Sequence, residues 1–231
     1  MSGPGQLLSG AIAVAGKDLR LEWRNRSRIL SVVLFGLMTL LLLSMALGPD
    51  TPKLRAAAAG CLTVALLLGS TLGLAESFRV EREDQALEGL ALLPIDPLSV
   101  YLGKLIANTL FLWSLAIVLV PTTVVLFAVE VEAAALVQIV FVWLLAAVGI
   151  AAPGTLYASM TSQLRSQDVM LPLLLFPLEV PVLMAAVKSF DLLFTGDPMM
   201  QLGSWGGLLI AFDVIFVCVC GLLFPQVFEQ D

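Results

Sequence analysis

The chain has 231 residues, a formal net charge of −6, no histidine, 59% hydrophobic side chains and only 13% charged ones. A soluble domain is about 45–50% apolar and about 25% charged, so a globule of this size could not hide so much apolar surface, and lipid is the solvent that accepts it. The acidic balance excludes the basic stripe of a nucleic-acid binder, and the missing histidine removes the commonest metal ligand and general base.

Read in chain order, the first element is amphipathic. Leu8, Ile12, Ala15, Leu19 and Trp23 fall on one helical face, with Lys17, Arg20, Arg24 and Arg28 nearly opposite. That pattern predicts an interfacial helix over 6–28, apolar side in the acyl boundary and basic side toward the headgroups. A plain basic tail that orients the first span is the alternative. The apolar run that follows is too long for a signal-peptide core and no small-residue cleavage site comes after it, so a retained span is expected.

A spanning helix needs about 20 mostly apolar residues. Six stretches meet that requirement, over 29–47, 56–77, 99–128, 133–159, 169–189 and 205–228. The fold expected is therefore an all-α integral membrane protein with one transmembrane domain. Short polar connectors lie between the spans, the longest running from Arg79 to Leu98. Lys17, Arg20, Arg24, Arg26, Arg28, Arg79, Arg82, Lys104 and Arg165 fall on one side of a six-span layout, and Lys53, Arg55 and Lys188 on the other. The excess of basic residues places the first side, with both termini, in the cytoplasm.

Three segments stand out for function. Between the second and third spans, FRVEREDQALEGLALLP at 78–94 reads as a short amphipathic cytoplasmic helix. Phe78 opens it, Glu81, Asp84 and Glu88 share one face, and Ala86, Leu87 and Leu90 lie roughly opposite; Pro94 and Pro97 end it. Such a helix suits a helix-in-groove contact with a soluble partner, and equally a helix lying on the membrane or a solvated charged loop. The fourth span carries Ala152-Pro153-Gly154, where a kink or break is expected. The fifth carries LPLLLFPLEVPVLM, with Pro172, Pro177 and Pro181 around Glu179. A carboxyl near mid-membrane is costly and marks a functional site by default. Asp213 in the sixth span reaches similar depth if the two spans form a hairpin. The pair reads either as a polar, proton-linked site or, the preferred reading, as a neutral hydrogen-bonded packing pair or an Asp213 hydrated near the outer surface.

Enzyme signatures are missing. No GxxxxGK[ST] phosphate loop occurs, and Cys61, Cys218 and Cys220 fall in apolar runs with neither zinc spacing nor a disulfide framework. They read as small packed residues. If ATP energy is used, another chain hydrolyses it.

The residues that carry a family resemblance are KDLRLEWRNRSRIL near the N-terminus, ESFRVEREDQALEGLALLPIDPLSVYLGK at 76–104, APG at 152–154 and LPLLLFPLEVPV at 171–182. In this order the chain resembles the CcmB family, membrane subunits of the cytochrome c maturation complex, over nearly its whole length. The resemblance implies six spans of the ABC-2 exporter type in the bacterial inner membrane and a second copy of the chain. It also implies a soluble CcmA-like ATPase, CcmC-like and CcmD-like membrane subunits that handle haem, and a CcmE-like haem chaperone. It makes 78–94 the coupling helix facing the ATPase and 17–28 the elbow helix before the first span. At Glu179 some relatives are expected to carry an apolar or hydroxyl residue, so no shared role is transferred there. The function implied is coupling of a partner's ATP hydrolysis to haem export or to release of the haem-loaded chaperone. The chain itself is expected to be non-catalytic and to hold no cofactor alone, with haem handled by the complex and ATP by the partner. A membrane scaffold for a haem-handling partner, or an ABC-2 exporter subunit for lipid or polysaccharide, fits the same composition.

Overall fold

The computed structural model describes residues 4–24, 26–83, 96–132, 135–161 and 167–228. Among them run α1 (Pro4–Arg24), α2 (Arg26–Leu47), α3 (Thr51–Glu83), α4 (Pro97–Leu126), α5 (Ala135–Thr161), α6 (Gln167–Thr195) and α7 (Leu202–Phe228), and no strand. Among the described residues, six stretches are long and apolar enough to cross a bilayer: Ile29–Leu47, Thr51–Ala75, Pro97–Leu126, Ala135–Thr161, Met170–Thr195 and Leu202–Gln226. Even the shortest, at 19 residues, rises roughly 28 Å, close to the hydrocarbon thickness. The chain is an all-α integral membrane protein.

Helices α3 and α5 form the centre. α5 packs on α3, α4, α6 and α7, while α3 packs on α2, α4, α5 and α6. α2 is peripheral and leaves Leu30, Leu34, Met38, Leu41 and Met45 exposed at helical spacing, a stripe suited to lipid. Local chemistry sets the helix ends. Asp96 caps α4 by accepting from the Leu98 N–H at 3.0 Å, with Pro97 in the first helical position. Asp197 caps α7 by accepting from the Gln201 and Leu202 N–H groups, both at 2.8 Å. Gly48 takes φ +75° in the turn between α2 and α3, a conformation glycine adopts without strain.

Several expected boundaries move. α1 ends at Arg24, and Arg26 and Arg28 belong to the first turn of α2 rather than to an interfacial helix reaching 28. The fifth spanning helix continues to Thr195 rather than 189, because Phe190, Leu193 and Phe194 are buried, with the Phe190 ring 5.9 Å from Trp143. The expected kink at Pro153 does not interrupt α5, and α6 passes through Pro172, Pro177 and Pro181. Beside Pro153 the Tyr101 hydroxyl donates to the Ala152 carbonyl at 3.3 Å. Residues 78–83 continue α3 instead of starting a separate helix.

Candidate functional site

Asp213 and Glu179 both sit inside the helical bundle. Glu179 is fully buried and Asp213 is 7% exposed. Gly149 on α5 makes the junction possible: a Cβ there would lie 2.8 Å from Asp213 Oδ1 on α7 and 2.9 Å from Val182 Cγ1 on α6. Glu179 precedes Val182 by three residues, which puts it one turn away on the same face of α6. Gly149 thus brings Asp213 close to Val182, one turn of α6 from Glu179. Neither carboxyl has a hydrogen-bond partner among the described residues. The Trp143 indole N–H and the Ser189 hydroxyl are also buried without partners, on α5 and α6. Buried polar groups left unpaired are rare in native structures and call for a physical reason.

At the other face of the bundle, α1 docks on α4. Ala11, Val14 and Ala15 are buried, while Leu8 and Ile12 are 65% and 62% exposed. Ala15 therefore faces protein and not lipid, a correction to the single apolar face; the side chain of Trp23 lies outside the described residues. Gly103 on α4 permits the approach, since a Cβ there would lie 2.7 Å from the Ala11 carbonyl oxygen. Lys104 is buried, and its Nζ lies 3.4 Å from Asp18 Oδ2 on α1. Deeper in α4, Asn108 donates to Thr155 Oγ1 of α5 at 2.9 Å. Charge placement along the chain counts Lys104 among the cytoplasmic-side cations and does not reveal this joint. The available signal was a lysine inside an apolar run and an acidic residue, Asp18, directly beside Lys17 in α1.

The end of the bundle that carries the α2–α3 and α6–α7 turns holds a cleft of about 580 Å³, lined in part by Arg55, Glu130, Glu132, Gln138, Leu193 and Asp197. Arg55 pairs with Glu130 there at 2.7 Å. Of the expected ATPase-facing residues, Phe78 and Glu81 fall on the last turns of α3, with side chains outside the described set, and Asp84, Ala86, Leu87, Glu88 and Leu90 lie outside the described residues altogether. Among the cysteines, Cys220 is buried, Cys61 is half-buried and Cys218 is exposed, so Cys218 faces outward instead of packing.

The family model described as CcmB protein matches residues 10–229. Heme exporter protein B of Haemophilus influenzae is 31% identical over 181 residues, covering 78% of this chain and 80% of that protein. Heme exporter protein B of Pseudomonas aeruginosa is 28% identical over 182 residues, covering 79% and 81%. Its namesake in Escherichia coli K12 is 35% identical over 91 residues, covering 39% and 41%.

Proposed function

The chain belongs to the CcmB family, and from that premise we propose that it is the membrane-spanning, non-catalytic subunit of an ATP-driven haem exporter serving cytochrome c maturation. The carrying observation is the family match across residues 10–229, which takes in all six candidate spans. Relatives named heme exporter protein B that align over about four-fifths of both chains support the same reading. Haem is the cargo in this reading, and a CcmA-like ATPase supplies the energy.

The ATPase would dock on 78–94, with Ala86, Leu87 and Leu90 in its groove and Phe78, Glu81, Asp84 and Glu88 completing the contact. A second copy of the chain, CcmC-like and CcmD-like subunits and a CcmE-like chaperone complete the assembly, and ATP hydrolysis would drive release of the haem-loaded chaperone. The distribution of basic residues supports an inner-membrane orientation with both termini cytoplasmic. The test is deletion of the gene in its host, with haem-stained c-type cytochromes as readout and pull-down of the tagged chain to identify the ATPase. Loss of c-type cytochromes, restored by the wild-type gene, is expected. Unchanged cytochromes with an altered lipid or polysaccharide profile would assign the chain to a different exporter.

A further inference from the structure

The unpartnered carboxyls at the α5–α6–α7 junction are not used by the transport reading and stand independently of it. Both charged, they would place two anions on adjacent helices in a low-dielectric interior with no counter-ion, an arrangement membrane proteins do not sustain. The titratable groups on the helices packed around them offer no relief. Among the described residues these are Tyr157 on α5; Lys53, Arg55 and Cys61 on α3; Tyr101 and Lys104 on α4; and Cys218 and Cys220 on α7. None is hydrogen-bonded to either carboxyl. On α6 itself, Lys188 is exposed and Asp191 half-buried, both more than two turns from Glu179.

The donor set limits what can bind. Calcium needs six to eight oxygens and magnesium a near-octahedral shell, whereas the junction supplies two carboxyls and a few carbonyls. A proton needs one oxygen. Acceptors for a protonated carboxyl are at hand, because Pro153 cannot donate to the Gly149 carbonyl, nor Pro181 to that of Pro177. Further along the same face of α6 comes the unpartnered Ser189, then Leu193, which lines the cleft. Trp143, also unpartnered, packs on Phe190 beside it.

We infer that Glu179 and Asp213 form an intramembrane proton-binding site that exchanges with water through the cleft lined by Arg55, Glu130 and Leu193. Loss of either proton leaves a bare carboxylate buried in the helical seam, so the protonation state biases how tightly this seam packs.

Infrared spectroscopy of the full-length chain in lipid nanodiscs tests the site, since a protonated carboxyl absorbs above the amide I band and a carboxylate does not. A band is expected in mildly acidic buffer that shifts within minutes in D2O, is lost in alkaline buffer, and shrinks in Glu179→Gln and Asp213→Asn. Where a variant fails to fold, carbon-13 carboxyl labelling of glutamate, and separately of aspartate, moves its share of the wild-type band and makes the assignment. A wild-type chain without the band overturns the proposal. So does a band that neither exchanges in D2O nor responds to pH, or one that survives both substitutions unchanged.

Discussion

Replacing Lys104 with methionine keeps the length of the side chain and removes the cation that faces Asp18. Breaking one half of a buried ion pair leaves the other charge without compensation. The cost is moderated here because Asp18 also lies 3.5 Å from Lys17 and retains some solvent contact. Lys104→Met should therefore destabilise the chain by roughly 1–3 kcal/mol, below the usual figure for a fully buried pair. Thermal unfolding in detergent would measure it, and adding Asp18→Asn should restore most of the loss. An unchanged midpoint for the single variant would mean that the pair contributes nothing to holding α1. At this scale the sequence disclosed Glu179 and Asp213 as anomalies, since any carboxyl in an apolar run stands out. It did not disclose the partners of Lys104 or Asn108, which come from helices far away along the chain.

The docking of α1 on α4 depends on Gly103, because the backbones approach too closely there for any side chain. Gly103→Val places branched carbons against the Ala11 carbonyl and Val14. It should free α1 while leaving the spanning helices intact. Limited proteolysis in membranes reads this directly: faster cleavage before Arg24, with the rest of the chain protected, is expected, and an unaltered digestion pattern would show that α1 tolerates the displacement. Burial of Ala11, Val14 and Ala15 was hard to read from the sequence, since small apolar residues satisfy lipid and protein contact equally well. The segment at 78–94 belongs to the same scale. If Ala86, Leu87 and Leu90 fill a groove on the ATPase, Leu87→Asp buries a charge without a partner and should lower ATPase recovery in a pull-down at least tenfold. Normal recovery with the variant would leave the segment as a surface helix.

The whole molecule makes a prediction about sidedness. Single cysteines introduced at Pro49 and Met199 of a cysteine-free chain fall in the α2–α3 and α6–α7 connectors. Both should react with a membrane-impermeant maleimide added to intact spheroplasts, whereas a cysteine at Ser2 should react only after lysis. Protection at either connector would remove the six-span arrangement. The cleft on that same side, with its exposed Arg55–Glu130 pair, would then open toward the extracytoplasmic space.

Composition and apolar run length determined that the chain crosses a membrane as helices, because no other backbone arrangement of these residues satisfies its hydrogen bonds in lipid. The motifs at 76–104 and 171–182 determined the family. Which face of each helix meets protein was beyond sequence reading: in a span that is apolar all round, periodicity no longer separates core from lipid. Tertiary structure alone decided that α3 and α5 are central while α2 is peripheral. It also decided that α6 extends to Thr195 on buried aromatic contacts, that Ala15 turns inward, and that a glycine on α5 brings Asp213 close to Val182, one turn of α6 from Glu179. Each is a matter of contact between elements distant in sequence, and in a bilayer such contacts rest on close packing and small residues rather than on the hydrophobic pattern that makes soluble proteins legible.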